Sequence, residues 1–461
     1  MKANSSATAQ RVLDWVSIVL QERFGQEFVL KLVNSDGFGS EIEMSIAGEP
    51  GSICMMEGME WFDRDGSTLP CSNWNCEQEG WRAPLGSELP SPGLDCGLAP
   101  VISKQEFGFR VRYPVVAMVW WMLSRREEVG RTDLDHHERF PATASHAFHH
   151  GYLDRPIVDE WLEILRQIIK RLWPNIKLKA HRFQMKVSHD VDRPSTYGFL
   201  GFPQMVKRSI GNSIRRKNLL EPFAATKIWL ASRKKLHKDD RLNTFDWIMD
   251  VSEQHGLCSA FYFICGRTDA ARDSDYEIED APMRELLRCI HERGHEIGLH
   301  PSYNTWLDPR ALADESARLK RVCAEERIEQ TGWGGRMHYL RWQHPTTMNR
   351  WEHAGMDYDS TLGFADRPGF RCGTCFEYPA FDPVAGKMLD LRIRPLIAMD
   401  CSVTSPIYMG LGTGREARDA FLKLKAACAA VNGTFTLLWH NSEFITAESR
   451  RLYTDVVSSE K

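Results

Sequence analysis

The sequence predicts a two-part protein: a smaller α+β segment over residues 1–178, then an α/β domain over residues 179–461. Three observations carry this. A chain of 461 residues is too long for one small core. From residue 183 onward, short apolar runs alternate with longer stretches of helical periodicity. That pattern belongs to a mainly parallel sheet, in a barrel or a doubly wound arrangement. Before that point strands and helices are grouped, and Pro174 followed by the polar "NIKLKA" marks a boundary near 175–182.

In the first segment, Val12, Leu13, Trp15, Val16, Val19 and Leu20 recur at helical spacing, with Asp14 between them. This predicts an amphipathic helix and not a secretory leader. The runs "EFVLKLV" and "EIEMSIAG" read as strands, and the Gly/Pro/Ser-rich stretch at 82–100 reads as loop. "YPVVAMVWWML" is too short to span a bilayer and ends in "SRREE", so it predicts a buried helix within 114–128. A loop with His136, His137, His146, His149 and His150 follows. It lacks an acid at metal-ligand spacing and reads as a surface or interdomain loop. A helix is predicted over 157–173.

In the second segment, strands are predicted at 183–189, 258–265, 295–300, 338–342, 388–393, 395–400 and 434–440. Helices are predicted at 243–255, 281–293, 310–328, 346–354 and 414–430. Between the first two strands, residues 195–241 form a basic insertion with helical patches such as "KIWLASRKKL". Two readings stay open for it: a solvated helical hairpin, or a surface that meets an anionic membrane or polymer.

Composition narrows the function classes. Hydrophobic content of 43% and charged content of 26% fit an ordered globular protein. A net charge of −4 gives no reason to expect nucleic-acid binding. The twelve cysteines show no disulfide framework. Cys71/Cys76 and Cys372/Cys375 lack second pairs at zinc-finger spacing. Reduced thiols and no visible leader predict a cytoplasmic protein, and the basic insertion extends this to a peripheral place at the inner membrane face.

The polar residues at the predicted strand ends are the main functional signal. Read to their C-terminal ends, the strands finish on Asp190 and Asp192, then His300, Arg341, Asp400 and His440. In α/β barrels such ends converge on one face and build the active site. Two carboxylates with imidazoles suit a divalent metal and leave an acid and a histidine for proton transfer.

These residues resemble the polysaccharide deacetylases of the NodB homology type, carbohydrate esterase family four, over roughly residues 183–445. "SHDVD" is similar to the first motif in its divergent Asp-x-Asp form, "GHEIGLHPSYN" to the second, "YLRW" to the third and "LLWH" to the last. The block "MDYDSTLGFADRPGFRCGTC" is similar to the substrate-groove region of divergent members. The resemblance implies a deformed (β/α) barrel behind an N-terminal accessory domain. It implies a hydrolase that removes N-acetyl groups from an amino sugar of a polysaccharide or lipid-linked glycan precursor, with Zn²⁺ or another divalent cation. Asp190 is then the general base, Arg341 its positioning partner, His440 the acid and Asp400 its orienting carboxylate. Asp192, His300 and Asn304 become the metal ligands, with His189 as an alternative third ligand. Asn304 stands where the family has a second histidine. That departure opens a second reading, a non-catalytic carbohydrate-binding or assembly protein. The resemblance itself leaves a third, an amidase acting on another C–N bond, since related folds hydrolyse other linear or cyclic amides.

Overall fold

The structure, a computed structural model, describes residues 2–35, 39–62, 69–94 and 100–458. The first segment contains β1 (Val29–Ser35), β2 (Gly39–Ser45), β3 (Ser52–Met56), β4 (Cys71–Asn75), β5 (Glu88–Pro92), β6 (Ile102–Gln105) and β7 (Gly108–Val111). Five of them form a sheet in the order β1-β2-β3-β7-β6, and β4 pairs with β5. The stretch expected as loop at 82–100 therefore contains a strand, and its residues 95–99 lie outside the described residues. The helix Lys2–Phe24 buries Val12, Leu13, Trp15, Val16, Val19 and Leu20, as its spacing requires. The helix Val115–Leu123 is buried on every side. Among the described residues no helix is long and apolar enough to cross a membrane.

The second sheet contains β8 (Gln184–Val191), β9 (Ser259–Phe263), β10 (Glu296–Leu299), β11 (Gly334–Gly335), β12 (Tyr358–Asp359), β13 (Tyr378–Asp382), β14 (Lys387–Ile393), β15 (Ala398–Met399) and β16 (Thr434–Leu438). Their order is β13-β14-β12-β11-β10-β9-β8-β16-β15. All neighbours are parallel except β13 and β14. Helices return the chain between strands and cover the sheet with apolar faces, as Ala281–Glu292 does with Met283, Leu286, Leu287 and Ile290. The extended segment 387–399 pairs with β12 through its first half and with β16 through its second. Between these ladders Leu396 N donates to Leu362 O at 3.1 Å and Ile397 N to Thr436 O at 3.2 Å. One stretch of chain thus links both arms of the sheet.

One expected strand is not a strand. Residues 338–340 form a short 3₁₀ turn, and Tyr339 and Leu340 have φ of 60° and 56°. Two successive left-handed residues with side chains cannot continue a ladder. The strand here is Gly334–Gly335, which the sequence disguises as a chain breaker. A Cβ on Gly335 would sit 1.8 Å from Leu299 O, and one on Gly334 would sit 2.1 Å from the Tyr358 ring. Only glycine permits this approach.

The first segment packs directly on the second. Trp15 stacks on Phe381 with ring centroids 4.8 Å apart, and its Nε1 donates to Pro379 O at 3.0 Å. Behind them, buried Arg125 and Arg371 share Glu128, at 2.9 and 2.6 Å. The basic insertion folds as two helices, Phe202–Arg216 and Glu221–Ala231.

Candidate metal and proton-transfer site

Side chains alternate across a strand, and register carries one face from strand to strand. In β8, Ser188 and Asp190 point one way and Val187, His189 and Val191 the other. Cross-strand partners share a face: Asp190 lies opposite Tyr262, Tyr262 opposite Gly298, and Ser188 opposite Leu438. Counting on by twos puts Asp192, His300, Arg336 and His440 on the Asp190 face. Each follows the C-terminal end of a parallel strand, so all converge at one edge of the sheet.

His189 belongs to the opposite face. Its Nδ1 lies 2.7 Å from Trp439 O and its Nε2 3.3 Å from Ser259 Oγ, against the Phe261 ring. Burial pushes its pKa down to about 4, so it is a neutral core histidine.

At the edge, Asp192, His300 and His338 bring one ligand atom each within 4.8 Å of one another. His300 Nε2 is 3.4 Å and His338 Nε2 is 3.6 Å from Asp192 Oδ1. That oxygen is buried and has no hydrogen-bond partner among the described residues. Burial opposes the charged form of Asp192, yet the His338 and His300 rings hold its carboxyl well below the usual range. Each imidazole is oriented from behind. His300 Nδ1 lies 2.6 Å from Arg336 O, and His338 Nδ1 lies 3.2 Å from Asp273 Oδ1. Asp273 is itself fixed by the N–H groups of Tyr303, Thr268 and Asp269 at 2.7–2.8 Å. A carbonyl or carboxylate on Nδ1 holds a ring proton there, so Nε2 is the nitrogen each ring would offer a cation on giving up its second proton. A lone buried oxygen flanked by two such nitrogens is a donor set that fits a divalent cation.

Asn304 is placed otherwise. Its Nδ2 donates to Thr268 O at 3.1 Å and its Oδ1 accepts from Arg341 at 3.3 Å, so both polar atoms are engaged. The third residue gathered around Asp192 is His338. The expected strand at 338–342 hid it, since a strand would have put Arg341 at its end. The available signal was "RMHY": a histidine two residues beyond an arginine that ends a glycine strand.

Arg341 does not contact Asp190 either. Its guanidinium donates to His137 O, Tyr303 O and Glu138 Oε2 at 3.1, 3.0 and 2.8 Å. It also lies between the Tyr303 and Trp306 rings. It is the point where the His-rich loop of the first segment grips the rim of the site. Arg139 of that loop donates to Tyr339 O at 2.9 Å and adds a second grip. The residue that holds Asp190 is Arg336, fully buried. Its Nη1 donates to Asp190 Oδ1 at 2.8 Å, Nη2 to Ser188 Oγ at 2.9 Å and Nε to Ser360 O at 2.9 Å.

On the other side, Asp400 and His440 pair as expected from their strand ends. His440 Nδ1 is 2.8 Å from Asp400 Oδ1, and the His440 N–H donates to Asp400 Oδ2 at 2.7 Å. Burial disfavours a charged ring, but the Asp400 carboxylate overrides it and pulls the His440 pKa well above its ordinary value. With Nδ1 turned to Asp400, Nε2 is the atom free to give a proton. The His440 and Asp192 side chains keep 16% and 30% exposure while Asp190, His300 and His338 are buried, so solvent reaches the site between His440 and Asp192.

Residues 15–174 match the model of a family of unknown function (DUF7033). No curated protein matches the chain. Among solved structures, a protein described as a polysaccharide deacetylase from Mycobacterium smegmatis gives a TM-score of 0.37 at 14% identity, over 60% of this chain and 84% of that one. The Puue allantoinase gives 0.33 at 12% identity, over 60% of this chain and 83% of that one. At these scores the chemistry rests on the residues themselves.

Proposed function

We propose that the chain is a metal-dependent hydrolase that removes an N-acetyl group from an amino sugar of a polysaccharide or lipid-linked glycan precursor. One observation carries this reading: Asp192, His300 and His338 meet at a sheet edge flanked by the Arg336–Asp190 and Asp400–His440 pairs. Asp192, His300 and His338 would hold a divalent cation, Zn²⁺ being the natural choice for this donor set. When bound, it supplies Lewis-acid polarisation of the amide carbonyl and a more acidic water. Asp190, anchored through Oδ1 by Arg336, takes the proton from water as its oxygen attacks the acetyl carbon. His440, kept protonated by Asp400, gives a proton to the departing amine nitrogen as the C–N bond breaks. Acetate and a free amino sugar result. We read the linked parallel sheet as the deformed barrel of such enzymes, and residues 1–178 as an accessory domain whose loop at 135–139 shapes one wall of the groove.

Asn304 was the reason to consider a non-catalytic binder, and His338 supplies the donor that Asn304 does not. The deciding experiment is acetate release from N-acetylated oligosaccharides by metal-loaded protein, beside Asp190→Asn. Turnover in the parent and none in a folded, metal-loaded Asp190→Asn supports the assignment. Turnover retained in the variant refutes Asp190 as base, and glycan binding without acetate release by the parent refutes the hydrolase.

A further inference from the structure

The two-helix insertion leaves the sheet directly after Asp192. It stands on a fixed base: Ser195 Oγ donates to Asp240 Oδ2 at 2.5 Å and Thr196 Oγ1 to Asp240 Oδ1 at 2.7 Å. Met205, Ala225 and Ile228 with Tyr197 form its small core. Its outer end does the opposite of a core. Ile214, Leu219, Leu220 and Phe223 are 75, 87, 69 and 77% exposed. Exposed single hydrophobics are ordinary, but four at one helix-to-helix turn form a patch that soluble surfaces avoid.

Charge tells what fits this patch. Residues 202–238 contain ten Lys or Arg and one acid, Glu221. That acid is buried, bonded to Tyr197 OH at 2.5 Å and to Arg216 at 2.9 Å, and so presents no negative charge outward. Arg215 and Lys217 are exposed beside the apolar tip and make no ion pair among the described residues. An apolar tip collared by cations is the composition of a membrane-interfacial element: the side chains enter the acyl boundary while the cations meet anionic headgroups. A second copy of the chain would bring an equally cationic hairpin to a symmetric contact, and like charges would oppose it.

We propose that the hairpin 202–231 docks this protein on an anionic lipid bilayer, with Ile214, Leu219, Leu220 and Phe223 as the inserting tip. The helix Phe202–Arg216 is about 22 Å long at ~1.5 Å per residue. The hairpin follows β8 and Asp192 in the chain, so docking would tether this end of β8 to the bilayer through the insertion. This proposal concerns the binding surface and stands whatever reaction the site performs.

The test is co-sedimentation of the full chain with vesicles of phosphatidylglycerol and phosphatidylcholine, against phosphatidylcholine alone, at low and high salt. The parent is expected to bind the anionic vesicles and to be released by salt. Arg215→Gln with Lys217→Gln weakens binding by about 25-fold, at about fivefold per cation. Leu219→Ser, Leu220→Ser and Phe223→Ser together weaken it by at least about tenfold, or ~1.4 kcal/mol, through lost apolar transfer. These side chains are exposed, so circular dichroism and acetate release from soluble oligosaccharides stay unchanged. Failure of the parent to sediment at low salt, or variants that bind as the parent does, overturns the proposal. So does a dimer that the triple variant converts to monomer, which would make the tip a self-contact.

Discussion

Replacing His338 by Ala removes one of the two imidazole nitrogens facing Asp192 Oδ1, the one at 3.6 Å, and leaves His300 at 3.4 Å. The size of the effect is bounded by the residue behind the ring. Losing an outer partner of a metal-bound imidazole costs about 10–100-fold in affinity, and Asp273, at 3.2 Å from His338 Nδ1, is such a partner. Asp273→Asn is therefore expected to weaken divalent-cation binding by about 10–100-fold, or about 1.4–2.7 kcal/mol. His338→Ala removes the proposed ligand itself and is expected to cost at least about 100-fold. Asn304→Ala, which releases only Thr268 and Arg341, is expected to change affinity by less than about threefold, in the range of substitutions away from the site. Metal content after dialysis, followed by competition with a chromophoric chelator, measures all three, with circular dichroism as the folding check. An Asn304→Ala protein that loses its metal beside a His338→Ala protein that keeps it would refute the assignment and restore the ligand set expected from the motif.

Three further outcomes follow from the same geometry. Asp400→Asn removes the carboxylate that raises the His440 pKa against burial, so the alkaline limb of the pH–rate profile moves to lower pH and kcat falls by about 10²–10⁴; an unmoved limb means that His440 is not the acid. Arg336→Met strands Asp190 as a buried carboxylate without its cation and is expected to cost about 3–5 kcal/mol, read by denaturant unfolding. Gly335→Ala forces a Cβ against Leu299 O and is expected to cost about 1–3 kcal/mol or more in thermal unfolding, without changing any polar group of the site.

The sequence made the strand ends legible wherever an apolar run preceded them. Asp190, Asp192, His300, Asp400 and His440 all follow such runs, and the structure brings them to one edge. It hid the site where the strand is made of glycines. Gly334–Gly335 carries no apolar signal, because the sheet needs those positions empty for the Leu299 carbonyl and the Tyr358 ring. The neighbouring run "HYLRW" offers a false strand, and with it Arg341 in the place of Arg336, while the spacing of the second motif points to Asn304 and away from His338. The grip of the first segment on Arg341 was equally invisible: His137 and Glu138 lie about two hundred residues away in sequence, at separations of 204 and 203. Long-range side-chain pairing leaves no periodicity to read.

In the proposed reaction, the arrangement around Arg336 separates two jobs that the Asp190 carboxylate would perform. A base must be held still, and it must keep an oxygen free for the proton. Arg336 bonds Asp190 through Oδ1 alone and commits its Nε and Nη2 donors to Ser188 and Ser360, which fixes the plane of the guanidinium. Oδ2 is left on the side of His300 Nε2, 3.7 Å away, facing the residues that would hold the proposed cation. The same backbone stretch sets both groups, since Arg336 O accepts from His300 Nδ1 while the Arg336 side chain holds Asp190. A shift of this one residue would therefore disturb the proposed base and a proposed metal ligand together. On this view a conservative Arg336→Lys, which keeps the charge but loses the fork, should lower cation affinity and kcat in parallel, whereas loss of kcat with cation affinity untouched would show that the two are not coupled through it.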